Sequence, residues 1–198
     1  MLRDRRWILA VVFSATLPLF AQTADWQIDS AHSATQFSVR HMMVSTVRGQ
    51  FGKTSGVVNF DPKNPAQAKV DVTVDVASID TREPKRDAHL KGADFFDVQQ
   101  FPTMTFKSKR IEAPGAGRLR MAGDLTMRGV TREVTFDVEG PSPEIKEARG
   151  GARSGATATA KISRKDFGMT WNRAIEAGGV AVSDEVAVTI DVELIRKP

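Results

Sequence analysis

The chain has 198 residues, no cysteine and a formal net charge of +4. Without cysteine it can form no disulfide, no thiolate zinc centre, no cysteine nucleophile and no thioether-linked lipid anchor. Residues 1–24 hold three Arg and one Asp, so the remainder carries 25 basic and 23 acidic side chains, a net of +2 that gives little drive toward nucleic acid.

In chain order, Arg3, Arg5 and Arg6 precede an apolar run of 14 residues, Trp7 to Phe20, broken only by Ser14, Thr16 and Pro18. Small residues follow at Ala21, Thr23 and Ala24. This basic, apolar, small order predicts a secretory signal peptide over 1–24, cleaved within 21–24. The run falls short of the roughly 20 residues a membrane span needs, so no stable membrane insertion is expected once it is removed. Residues 25–198 are expected to form one domain, and a chain of that size can build a sufficient core without covalent staples.

From there the pattern is strand after strand. Trp26–Ile28, Thr35–Val39, Val47–Phe51 and Val57–Phe60 are short candidates. Lys69–Val76 is the clearest: Val70, Val72, Val74 and Val76 alternate with Asp71, Thr73 and Asp75, the period of a strand with one face buried. Asp61 to Pro65 reads as the turn before it. Asp80–Gln100 lacks this period and predicts a short helix or turn, with Phe95 and Phe96 following, placed over a sheet edge or a barrel mouth. Alternation resumes with Met104 and Phe106, then Arg118–Leu125, then Val134, Phe136 and Val138, then Thr157–Ile162. It ends with Val186, Val188, Ile190, Val192 and Leu194. Glu112–Gly117 predicts a hairpin loop, Met127–Thr131 a tight connection and Pro141–Gly155 a longer mobile loop. Eight to ten antiparallel strands with one apolar face must close into a barrel or stack as a sandwich. Apolar stripes of this kind suit a filled core and a hydrocarbon-lined cavity alike.

Signals of catalysis are weak. His32, His41 and His89 include no pair four apart, and no Gly-x-Ser-x-Gly elbow is present. The glycine pairs near 115 and 150 do not sit between a strand and an amphipathic helix, so they form no phosphate cradle. Asp71, Asp75, Asp191 and Glu193 fall on the polar face of strands and predict solvation rather than acid–base work. Asp29, Ser30 and His32 are crowded in sequence, but a turn explains them as well as a triad does. No metal and no cofactor is expected.

Several short segments together resemble the YceI-like family of periplasmic polyisoprenoid-binding proteins, over nearly all of the chain after the leader. They are Trp26–Ser33, Phe37–Ser45, Val47–Phe51, Ser78–Thr81, Arg86–Leu90, Asp94–Asp97, Phe101–Phe106, Gly123–Thr131 and Ser163–Met169. The resemblance implies an all-β, extended antiparallel eight-stranded lipocalin-like barrel with a short helical insert. It also implies a periplasmic carrier or storage protein whose pore takes an isoprenoid lipid, such as a quinone tail or a prenyl phosphate, and it carries no known catalytic residue. By position, the implied pore residues are Phe37, Val39, Phe51, Val72, Val74, Phe95, Phe96, Met104, Phe106, Leu125, Phe136, Phe167 and Met169, with His41 and Met42 near one end. Two other readings stay open. One is an enzyme acting on the bound lipid or isoprenoid quinone, with His41 as the suspect group. The other is a filled barrel that uses Pro141–Gly155 to contact a partner. A homodimer is compatible with the sequence.

Overall fold

The computed structural model describes residues 24–197 apart from 62–63, 116, 149 and 176–177, and only the backbone of residue 24. The expected signal peptide therefore lies outside the described residues except for Ala24, which opens the first strand. The strands are β1 (Ala24–Ile28), β2 (Ala34–His41), β3 (Ser45–Phe51), β4 (Thr54–Phe60), β5 (Lys69–Asp75), β6 (Ile79–Asp80), β7 (Thr103–Gly115), β8 (Arg118–Met127), β9 (Val130–Glu139), β10 (Ile145–Lys146), β11 (Ala152–Ser163) and β12 (Val182–Arg196); α1 is Pro84–Lys91.

These segments make eight barrel strands. Across short breaks β1 continues into β2, β3 into β4 and β5 into β6, while β10 is a two-residue flap on β11. Each strand pairs with the next in antiparallel fashion, and β11 closes the ring against β12 through a ladder running from Ala152↔Arg196 to Ser163↔Glu185. The other edge of β12 carries both β1, at Gln27↔Ile195, and β2, at Val188↔Phe37. The fold expected from the sequence is the fold observed.

Inward residues follow the strand period: Val70, Val72 and Val74 on β5; Phe136 and Val138 on β9; Val188, Ile190, Val192 and Leu194 on β12. Two departures from the sequence expectation have clear causes. Strand β7 runs to Gly115, through most of the expected hairpin loop, because its pairing with β8 continues to Gly115↔Arg118, with a register shift between Ser108 and Arg110. The extra residue reverses the parity, so Ile111 points inward after Met104 and Phe106 where strict alternation would bury Arg110 or Glu112. The expected loop Pro141–Gly155 is partly strand: β10 pairs with the start of β11, and Ala152 is buried.

Helix α1 has only eight residues and gains its stability from its ends and its docking. Glu83 caps the Lys85 amide, Pro84 opens the first turn, and Asp87 accepts from the Thr81 amide and hydroxyl. The following loop folds back so that Leu90, Phe95 and Phe96 pack on the barrel. Arg128, in the turn between β8 and β9, donates to the carbonyls of Ala93 and Gly168 at 2.7 and 2.6 Å, tying this cap to two other segments.

Gly123 marks a place where β7 and β8 leave no room for a side chain. A Cβ there would lie 2.4 Å from the Lys107 carbonyl oxygen and 2.5 Å from the Phe106 ring. Gly123→Ala is expected to destabilise the fold by about 1–3 kcal/mol through overpacking, read as a lower urea midpoint with an unchanged slope.

Candidate functional site

The barrel encloses a cavity of about 260 Å³ whose wall is almost wholly hydrocarbon. At one end Phe37, Val39, Phe51, Val74, Phe95, Phe96, Met104, Met127 and Met169 meet beneath α1 and its loop. The middle is built by Phe106 against Phe136, ring centroids 5.2 Å apart and edge to face, facing Ala156, Ala158, Val188 and Ile190. Toward the other end come Ile28, Val58, Phe60, Pro65, Ala68, Pro141 and Leu194. Beyond them Trp26 is fully buried, stacked on Phe60 at 5.4 Å and covered by the Arg196 guanidinium at 4.9 Å.

The width of the cavity comes from small residues. The alanines of β11 sit opposite the Phe106 and Phe136 rings, where larger side chains would fill the bore. Gly49 makes room for the Phe37 ring near the α1 end, since a Cβ there would lie 2.5 Å from it.

The wall contains one charged residue among those described, Arg164, and it is fully engaged. It is 3% exposed, and burial lowers its pKa. Its Nε donates to the Ser183 carbonyl, Nη1 to the carbonyls of Met169 and Trp171, and Nη2 to the Val182 carbonyl and the Asp184 carboxylate. A guanidinium has five N–H groups, and each already has an acceptor. Arg164 thus pins the 3-10 turn after β11 to the start of β12 and presents no free donor to the cavity.

Twelve of the fifteen residues singled out in the sequence line this cavity: Phe37, Val39, Phe51, Val72, Val74, Phe95, Phe96, Met104, Phe106, Leu125, Phe136 and Met169. Three do not. Phe167 is 1% exposed but belongs to the core beside the wall, because its 3-10 turn carries it out of the strand period. His41 and Met42 stand at the end of β2, beyond the last wall residue Val39. The wall also uses residues not singled out, notably Ala156, Ala158, Ile162, Val182, Val186 and Val188. Those on β12 carried the right signal in their alternation; the alanines were legible only as gaps.

The remaining histidines serve the surface. His89 pairs with Asp94 at 2.9 Å and meets Phe95 and Trp171 edge-on, each at 5.0 Å. His32 pairs with Asp29 at 2.9 Å, and with Glu193 these could be drawn as a metal-binding trio. Arg153 occupies that position instead: it donates to Asp29, to Glu193 and to Glu147, so the carboxylates already hold a cation.

The hydrogen bonds from His32 and Arg153 hold the Asp29 carboxyl down at about 2, and the same Asp29 contact raises the His32 pKa. The stabilising part of His32 is fully present below its unfolded pKa and fades as pH rises through its higher folded value; that of Asp29 is present above its unfolded value and fades as pH falls toward about 2. A proton NMR titration is expected to place His32 above the ordinary value of about 6.5, and Asp29→Asn is expected to bring it back down. Arg164→Met, which takes the guanidinium from five acceptors, of which the Val182 carbonyl and Asp184 keep Asn172 and Lys165, is expected to cost about 3 kcal/mol or more in urea unfolding. Arg164→Lys recovers only part of this, since an ammonium offers three donors.

The comparisons with known proteins agree with this architecture. The YceI-like domain family matches residues 26–194. A UPF0312 protein of Vibrio parahaemolyticus is 38% identical over 159 residues, covering 79% of this chain and 84% of its own. A UPF0312 protein of Staphylococcus aureus is 34% identical over 169 residues, covering 85% and 96%. Among solved structures, the YCEI protein of Campylobacter jejuni superposes with a TM-score of 0.69 at 33% identity, covering 80% of this chain and 90% of its own. A polyisoprenoid binding domain from Saccharophagus degradans shares the fold at 14% identity, with a TM-score of 0.62 over 89% of this chain and all of its own. With its closed eight-stranded barrel and a family match spanning nearly every described residue, the chain belongs to the YceI-like family.

Proposed function

We propose that this protein binds one long isoprenoid chain in its barrel and serves as a periplasmic carrier or store for it, after removal of the N-terminal leader. The observation that carries this is the cavity itself: a long bore walled by hydrocarbon, with the donors of its one described charged residue already spent. Leaving such a volume free of side chains is costly. At roughly 24 cal/mol per Å³, a cavity of about 260 Å³ forfeits on the order of 6 kcal/mol, comparable with the whole stability of many domains. A slender hydrocarbon restores those contacts, and it gains roughly 25 cal/mol for each Å² of its own surface removed from water before the costs of association. Water is a poor occupant, since it would find few polar partners.

The state of Arg164 bears on which part of the lipid is read. A phosphate drawn into the bore would meet no free N–H there and would have to break existing bonds. The reading therefore assigns recognition to the tail, with the head group, quinone or phosphate, held outside the wall. It also favours binding over catalysis, because His41 lies off the wall and Arg164 has no free group to act with. The polyisoprenoid ligand of the Saccharophagus degradans domain supports this ligand class, although at 14% identity it is the shared barrel that makes the comparison.

Native mass spectrometry after gentle purification is expected to show one isoprenoid per chain, identified by organic extraction. Ala156→Phe combined with Ala158→Phe places two rings in the bore and should leave the barrel folded while lowering lipid retention by about tenfold or more, because bore volume and not a polar contact sets the affinity. A double variant that is folded and retains lipid as before would rule out this cavity as the binding site.

A further inference from the structure

Six large apolar side chains are exposed among the described residues, and four of them gather at one place. Met42, Met43 and Val44 form the tip of the hairpin between β2 and β3, with Val44 at 79% exposure, and Val180 lies alongside in the loop before β12. The two segments are joined: the Met42 amide donates to the Ala181 carbonyl at 2.8 Å, and Met43 packs over Gly179.

The tip is also held in an unfavourable backbone. Met42 and Met43 have φ of 48° and 61°, consecutive left-handed residues in a turn that ordinarily selects Asn and Gly. Arg40 supports it from below, donating to the Met43 carbonyl at 2.8 Å and to the Thr46 hydroxyl at 3.1 Å. Two exposed methionines in strained turn positions break local rules of both polarity and conformation, and such breaks concentrate where a surface has work to do.

Among the described residues, the charge around the tip is basic. Arg40 and Arg48 lie on the outward face of the hairpin and Arg173 on the neighbouring loop, and none of the three forms an ion pair among the described residues. Of the described acids nearby, Asp184 is shared by Arg164 and Lys165, and Glu185 pairs with Lys161. The tip also continues directly from the cavity wall, since His41 pairs in register with Val182, and Val39 and Val182 both line the bore.

We propose that this tip is a membrane-docking site: Met42, Met43, Val44 and Val180 enter the interface of an anionic phospholipid bilayer while Arg40, Arg48 and Arg173 engage its phosphates. Docking there sets the α1 end of the cavity against the lipid surface. The assignment stands on the exposed tip and its charges, so it is separable from the lipid reading of the bore.

The chain from Ala24 onward, which carries the complete barrel, is tested by cosedimentation with vesicles of phosphatidylethanolamine containing about one-third phosphatidylglycerol, against pure phosphatidylcholine vesicles. Binding to the anionic vesicles, weakened by salt, is expected. Met43→Asp with Val44→Asp should reduce it about tenfold or more, and Arg48→Glu about fivefold or more. Ile145→Asp, an exposed apolar site at the far end of the barrel, should change nothing. Because the chain lacks cysteine, a single Val44→Cys carries an environment-sensitive fluorophore, expected to shift to the blue on anionic vesicles while the same label at Ile145→Cys does not. Lipid retention in the bore should be intact in the tip variants, which separates failure of docking from failure of the carrier reading. Equal binding to both vesicle types, or undiminished binding by the double variant, overturns the proposal. So does a chain that ignores vesicles but loses a copurifying protein when the tip is changed, which would make the tip a protein contact.

Discussion

The ladder between β11 and β12 joins the two ends of the sheet, so that every barrel strand has a neighbour on both sides. Backbone hydrogen bonding is then satisfied around the ring, whatever occupies the middle. This separates two jobs that a packed domain must do together. The ladders and the two end clusters, around Trp26 and Phe60 and around Phe51 and Phe167, can hold the fold. The middle layer is thereby free to carry alanines opposite phenylalanines and keep its bore. A sandwich of the same composition would have to fill that layer, because contact between its faces is what holds its sheets together.

Within that frame, the polar groups are placed so as not to compete with an apolar guest. Arg164 shows this most clearly. A buried guanidinium is a liability unless its donors are met, and here four backbone carbonyls and one half-exposed carboxylate meet them. Its role is architectural: it fastens the 3-10 turn to β12 at the point where the sheet would otherwise splay around the bulge between Val182 and Val186. The same logic places Thr35 and Thr54 in a mutual 2.9 Å hydrogen bond. A wall with its polar groups paired off discriminates by length, width and flexibility, which makes selectivity among similar hydrocarbons loose.

What the sequence disclosed follows from which residues obey the strand period. On β5, β9 and β12 the alternation of Val, Ile and Phe with polar residues names the inward face without help, and the family resemblance placed Phe37, Val39, Met104 and Phe106 on the wall from β2 and β7. The reading failed where the period breaks or the signal is a missing side chain. The bulge on β7 exchanges faces within one strand, so the alternation set by Met104 and Phe106 does not point to Ile111. Phe167 was implied as a wall residue by its position in the family resemblance, but a 3-10 turn follows a different period from a strand. Ala156 and Ala158 shape the bore by being small, and a small residue gives little pattern to read.

The two ends of the barrel are not equivalent, and the difference bears on how a long chain could get in. At the Trp26 end the core is sealed by stacked rings and a guanidinium, with Leu194 and Ala152 packed tightly around them. At the other end the closure is an eight-residue helix and a loop, held by Leu90, Phe95 and Phe96 and by the Arg128 fastening to two carbonyls. Moving such a cap would break side-chain packing and a few hydrogen bonds but no strand ladder. The strained, apolar hairpin tip continues from the wall at this same end. The closure that involves no strand ladder and the part that carries exposed apolar side chains therefore lie together, and a chain exchanged between barrel and bilayer there would cross the shortest stretch of water.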